Sequence, residues 1–231
     1  KPVLKREEWF NGYLTTILQR DVRTIAELEK IDLLPRLLRV LAARAGKLMN
    51  DAEIARDMGL NQVTSKSYRS ILRAMFLSFD VRPWYRNVGK RLMKSSKGYI
   101  MDTLLLCHLL DRDIASPRGR LSDFYGYAVE NFVATELCKL LSFSDVRADL
   151  FHFQTSDGKE VDFVLERPDG SVAGIEVKAS ERVGPADFKG MKVLQGITRD
   201  DFVCGIVLYG GRDVVPFADR LLAVPFSALW Q

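Results

Sequence analysis

The sequence is poor in the residues that build disulfide and zinc frameworks: its 231 residues include only 3 cysteines and 2 histidines. Cys107, Cys138 and Cys204 are scattered, odd in number and form no CxxC pair, and His108 and His152 have no second ligand at metal spacing. Neither a disulfide scaffold nor a zinc centre is expected to organise such a chain. Long apolar runs are lacking too. A membrane-spanning helix needs ~18 apolar residues or more, whereas the longest candidates, Phe202 to Gly211 and Leu221 to Gln231, are shorter and read as strands. No membrane association is expected. The sequence opens on Lys1 with no basic–apolar–small leader pattern, which suggests a piece of a longer cytoplasmic chain.

What is present suits a globular protein of one large domain or two small ones, with 47% hydrophobic residues to fill a core. Charge is unevenly placed. Residues 1–118 carry 22 Lys+Arg against 13 Asp+Glu (net +9), and residues 119–231 carry 12 against 17 (net −5). A basic half suits phosphate contacts and an acidic half repels them unless metal ions intervene; the plainer reading makes both ordinary solvated surfaces.

Apolar spacing is helical over Trp9–Ile31 and Leu33–Ala45, and the pattern changes near Ser116-Pro117-Arg118-Gly119. Asn50-Asp51-Ala52-Glu53 resembles a capping box, and Gly59 is placed to end the helix that it opens. A second helix from Gln62 to about Phe76 completes helix-turn-helix spacing. Val63, Ile71, Leu72 and Met75 are assigned to its core face, and Gln62, Ser65, Lys66, Arg69 and Arg73 to solvent, where such side chains suit groove reading. Residues 82–97 add Arg82, Arg86, Lys90, Arg91, Lys94 and Lys97 with no acidic residue, interleaved with Trp84 and Tyr85. A β-hairpin wing fits this stretch. Two readings stay open: phosphate contact through Gln62, Ser65, Lys66, Arg69, Arg86, Lys90, Arg91 and Lys94, or a winged helix that meets protein. The domain plan is a helical segment over 1–48, a winged helix-turn-helix over 49–118 and an α/β domain over 119–231.

In that last region a helix over Asp123–Leu141 is followed by strands at Arg147–Gln154, Gly158–Leu165 and Ser171–Lys178, the last two joined through the turn Pro168-Asp169-Gly170. A helix at Pro185–Gln195 and a strand at Phe202–Tyr209 give the order α-β-β-β-α-β. Glu176 and Lys178 share one strand face, and the hairpin returns Asp162 to their side. Two carboxylates one strand apart suit Mg²⁺ or Mn²⁺, and a lysine beside them suits an attacking water and a charged phosphodiester. Alternating Glu and Lys also makes ordinary cross-strand pairs. Glu130 has Gly126, Tyr127, Val133, Ala134 and Leu137 at helical spacing, so its carboxylate lies on an apolar face and needs a partner: a metal held with Asp162 and Glu176, Lys178 directly, or a backbone amide. Gln195 is expected to be solvated and His152 to be structural.

The order of elements with Glu130, Asp162 and Glu176-Val177-Lys178 resembles the PD-(D/E)xK restriction-endonuclease-like superfamily. More closely, nearly the whole chain resembles the C-terminal domain of unknown function that follows an AAA-type ATPase module in many bacterial and archaeal proteins. Leu41 to Asn50, Trp84 to Lys97, Glu130 to Leu137, Gly158 to Leu165 and Ile175 to Lys178 carry the likeness. Met101-Asp102-Thr103-Leu104 departs from it, since the family often has glycine after the Asp-Thr. The resemblance implies an ATPase module preceding this chain. The chain itself has no G-x-x-x-x-G-K-[ST], so ATP would belong to that module.

Two functions compete. In the first the chain is a Mg²⁺- or Mn²⁺-dependent DNA nuclease, with Asp162 and Glu176 as metal ligands, Glu130 supporting them and Lys178 handling the attacking water. In the second it is a non-catalytic module that binds DNA or protein for the ATPase and keeps Glu130 and Lys178 as a buried pair. A defence or antitoxin-like regulator would share every feature of the second. The nuclease requires ligands open to solvent, the structural pair direct and buried bonds.

Overall fold

The computed structural model describes residues 2–22 and 31–230. Its two compact units are not separated by a single cut. One comprises Lys1–Asp80 and Gly98–Phe124, the other Val81–Lys97 and Tyr125–Gln231.

The first unit is helical. Helix α1 (Pro2–Thr15) passes into a π-helical turn, Thr16–Asp21, and a 3-10 turn at Ile31–Leu33 leads into α2 (Leu34–Ala42). Part of the single helix expected over Trp9–Ile31 lies outside the described residues. In α2 the spacing of Leu34, Leu37, Leu38 and Leu41 puts four leucines on one buried stripe. Asn50 caps α3 (Asp51–Met58), its side-chain oxygen accepting from the amides of Ala52 and Glu53 at 3.1 and 3.3 Å. Glu53 accepts from the Asn50 side-chain amide at 3.0 Å: with Asn at the cap, the reciprocal bond of the capping box is made between side chains. Gly59 ends α3 in the left-handed region (φ 66°), and Asn61 caps α4 (Gln62–Ala74). Phe76 follows with a positive φ of 55°. Helices α5 (Val88–Met93), α6 (Thr103–Leu109) and α7 (Pro117–Arg120) come later in the chain.

On α4, Leu72 is buried and Ile71 and Met75 pack against the core as expected, but the assignments of Val63, Ser65 and Arg69 are corrected by the structure. Ser65, Tyr68, Arg69 and Leu72 are its buried residues, and Val63 is 79% exposed. These four positions form an i, i+3, i+4, i+7 stripe, in which Tyr68 and Leu72 supply the apolar anchors. Arg69 is tolerated inside because its guanidinium bonds to Asp51 and, at 3.3 Å, to Asp80.

Strands β1 (Ser78–Pro83) and β2 (Lys97–Ile100) straddle the division between the units. The β-hairpin wing expected over 82–97 is not formed. Asn87 caps the short helix α5 between the strands, accepting from the Gly89 amide at 2.9 Å, and β1 pairs in parallel with β3 (Asp149–Gln154).

The second unit begins its main run with α8 (Asp123–Phe143), then β3, β4 (Glu160–Glu166), β5 (Val172–Lys178), α9 (Lys189–Thr198) and β6 (Phe202–Tyr209), the α-β-β-β-α-β order read from the sequence. Strands β7 (Val215–Ala218) and β8 (Leu221–Pro225) follow. All eight strands make one mixed sheet in the order β2-β1-β3-β4-β5-β6-β8-β7. Neighbours β3/β4, β4/β5 and β7/β8 are antiparallel, and β5/β6 and β6/β8 are parallel. Phe151, Phe153, Val161, Val164, Phe188, Met191, Leu194 and Phe202 belong to its buried core. Helix α9 reaches the sheet closely because glycines face it: a Cβ at Gly174 would stand 2.5 Å from the Met191 sulfur, and one at Gly190 would stand 1.8 Å from the Glu160 carbonyl oxygen.

Candidate functional site

The antiparallel register of β4 and β5, with Phe163 opposite Ile175, sets Asp162 level with Glu176 one step further along. Both are interior, with side chains 8% and 9% exposed. Two buried carboxylates at one level repel each other, so the cations and donors around them decide what the site can do.

The principal cation is one that charge counting alone had placed on the wing. Lys97 begins β2, and its side chain is only 5% exposed. Its ammonium donates at 3.3 Å to Asp162 Oδ1 and at 3.3 Å to Glu130 Oε1, and lies 3.9 Å from Glu160. The second oxygen of Asp162 accepts the Val177 amide at 2.9 Å. Lys178 donates to Glu176 at 2.7 Å across the rim, with 35% of its own side chain exposed. Glu130, Asp162, Glu176 and Lys178 thus lie in one unit, but the pairing differs from the one expected: Glu130 bonds Lys97, and Lys178 bonds its strand neighbour.

Electrostatics follow this geometry. Burial alone would lower the Lys97 pKa, but Asp162, Glu130 and Glu160 outweigh it and hold the ammonium charged more firmly than a free lysine. Burial, reinforced by Asp162, pushes Glu176 up to about 8 despite Lys178. Burial would lower Lys178 as well, but Glu176 raises it on balance. His152 is 2% exposed and shifted down to about 4, first by burial and then by Lys97. Its Nε2 lies 3.3 Å from the Ser95 carbonyl oxygen and its Nδ1 has no partner, so it is a neutral structural imidazole. Gln195 is half-buried on α9.

The arrangement does not fit a divalent metal. Asp162 has one oxygen on Lys97 and the other on a backbone amide, and Glu176 is bonded to Lys178. Among the described residues no group of three or more His, Cys, Asp or Glu side chains is placed to hold an ion. Asp162 and Glu176, the ligands expected from the sequence, are two carboxylates already engaged.

The residues assigned to nucleic acid are scattered in role. Gln62, Lys66, Lys90 and Lys94 are exposed. Ser65 is fully buried, and Arg69 serves Asp51 and Asp80. Arg91 is bonded to Glu166 and lies over the Phe151 ring, 4.8 Å from its centroid, while Arg86 pairs with Asp201 at 2.8 Å. The Arg91 bond holds Glu166 below the usual carboxylate range. The side chain of Ser65 is thus enclosed, and two guanidiniums that counted toward a basic surface, Arg69 and Arg91, neutralise carboxylates within their own units.

Fold and site together define a mixed α/β protein whose C-terminal unit carries a buried carboxylate–lysine cluster. Residues 3–115 match a family described as a domain of unknown function (DUF8612), and residues 125–229 match a second domain of unknown function (DUF4143). The chain is similar to the uncharacterized protein Rv2008c of Mycobacterium tuberculosis and the uncharacterized protein Mb2031c of Mycobacterium bovis. Each is 30% identical over 217 residues, covering 94% of this chain and 47% of the relative. The chain therefore spans about half the length of these curated relatives. A solved assembly of Thermococcus gammatolerans McrB AAA+ hexamers with bound McrC contains a chain 12% identical, covering 86% of this chain and 72% of that one, at a TM-score of 0.31. That score is too low to fix a shared fold. Among the described residues, no helix is long and apolar enough to cross a membrane.

Proposed function

We propose that this chain is a non-catalytic binding module of a longer protein, and that its nuclease-like carboxylate cluster is a neutralised element of the fold. The observation that carries the reading is Lys97, a buried ammonium bonded to Glu130 and to Asp162, one of the two expected metal ligands. A hydrolytic site needs ligands open to an ion and a phosphate. Here both oxygens of the best-placed ligand, Asp162, are engaged from inside the fold. The curated relatives are about twice as long as this chain. The sequence resemblance makes an AAA-type ATPase the candidate for the remainder, and the present chain the part that binds for it.

A partner protein is favoured over DNA. Of the eight side chains assigned to nucleic acid, Ser65, Arg69 and Arg91 are taken up inside the units and Arg86 is paired. Helix α5, expected to be part of a basic wing, instead exposes Val88, Leu92 and Met93 at 63%, 72% and 87%. Such apolar exposure beside Lys90 and Lys94 suits an interface more than a phosphate track.

One observation favours the nuclease instead. Glu130, Glu160, Asp162 and Glu176 are four carboxylates facing two ammonium groups, Lys97 and Lys178. Their formal excess of two negative charges is what a divalent cation would offset. Incubating the chain and an Asp162→Ala variant with single- and double-stranded DNA in Mg²⁺ or Mn²⁺ separates the readings. The expected result is no cleavage by either. Cleavage by the wild type that vanishes in the variant would establish the nuclease.

A further inference from the structure

Segment 81–97 belongs to the C-terminal unit although it is remote from it in sequence, and three further contacts add to the β1/β3 pairing and the Arg86–Asp201 pair in holding it there. Trp84 Nε1 donates to Glu166 at 3.1 Å, Arg91 bonds the same carboxylate, and the segment's last residue sends its ammonium into the carboxylate cluster. The first two contacts use one acceptor at the end of β4. The third reaches Asp162 in the strand's interior and Glu130 on α8.

We infer that Lys97 is a tethered cation that latches segment 81–97 to the C-terminal unit by occupying the carboxylate cluster, and that it excludes divalent cations from the same oxygens. The inference rests on the non-catalytic reading of this site and gives it a cause: the ammonium takes up Asp162, one of the two expected ligands, from inside the fold. A single positive charge on a flexible stem meets the 3.3 Å contacts to two carboxylates, which offset the cost of taking the ammonium out of water. A hard divalent ion held through Asp162 Oδ1 would compete with the ammonium for that oxygen.

The test is a Mn²⁺ titration of the 231-residue chain, following free Mn²⁺ by electron paramagnetic resonance. Wild type is compared with Lys97→Met and with Lys97→Met combined with Asp162→Asn. Lys97→Met is expected to gain one saturable site per chain, at least about tenfold tighter than anything in wild type, and the added Asp162→Asn change to abolish it. Should Lys97→Met be unfolded by circular dichroism, it is refolded with millimolar Mn²⁺; recovery of structure supports the latch and failure to recover contradicts it. A folded Lys97→Met that binds no Mn²⁺, or a wild type with a site lost on Asp162→Asn, overturns the inference. The proposed function falls separately, only if wild type cleaves DNA.

Discussion

Glu176 and His152 show at the level of single residues what it costs to bury titratable groups in the sheet. Glu176 titrates near 4.5 when unfolded and about 8 when folded, because burial and Asp162 disfavour its anion. The folded state then holds the proton more tightly, so this group's contribution is fully present below about 4.5 and is lost as the pH rises through about 8. His152 acts in the opposite sense. Its folded pKa of about 4 lies below its ordinary 6.5, so the stability it contributes is present above 6.5 and lost as the pH falls toward 4. Replacing Glu176 with Gln should therefore flatten the decline of melting temperature between about 4.5 and about 8 while leaving the acid limb in place. Superimposable melting profiles for variant and wild type over that range would refute the assignment. At this scale the sequence was informative about residue type and poor about partner. Glu130 on an apolar helix face announced a carboxylate that needed a partner, with a metal, Lys178 and a backbone amide all open. Its partner was hidden because Lys97 closes a run of six basic residues without an acid, which reads as solvated charge.

At the level of elements, periodicity and caps were legible and the intervening segment was not. Asn50, Gly59 and Asn61 mark the ends of α3 and α4 through local hydrogen bonds that need no tertiary context. The α-β-β-β-α-β order likewise follows from spacing. On α4 Ile71, Leu72 and Met75 were placed correctly, but Val63 was misread as core and Arg69 as solvated, because the buried stripe includes Arg69, whose two carboxylate partners lie 18 and 11 residues away in sequence. Segment 82–97 looked like a wing from composition alone; the Asn87 cap and the inward bond of Arg91 make it a helix held against β3 and β4. Helix α9 offers a test by sign. Gly190→Ala would drive a Cβ onto the Glu160 carbonyl and should cost about 1–3 kcal/mol or more. Gly196→Ala in the same helix meets nothing within 4 Å and should stabilise by up to about 1 kcal/mol. Urea denaturation of the two variants checks both; equal effects would mean that α9 does not approach the sheet as described.

Across the whole molecule, chain order and spatial membership part company at residues 81–97. The sequence placed a boundary near residue 118, where periodicity changes, but it could not show that an earlier segment folds with the C-terminal unit. That information resides in long-range pairs: Trp84 with Glu166, 82 residues apart, and Lys97 with Asp162, 65 apart. The reading of the molecule as a binding module depends on the second. A double-mutant cycle of Lys97→Met and Asp162→Asn, scored by equilibrium unfolding, tests it most directly. Lys97→Met strands a buried carboxylate and should cost about 3–5 kcal/mol. The Asp162→Asn change should then cost much less in the Lys97→Met background than in wild type, giving a coupling of roughly 1–3 kcal/mol. Costs that simply add, to within about 0.5 kcal/mol, would show that Lys97 does not neutralise this carboxylate and would contradict the account.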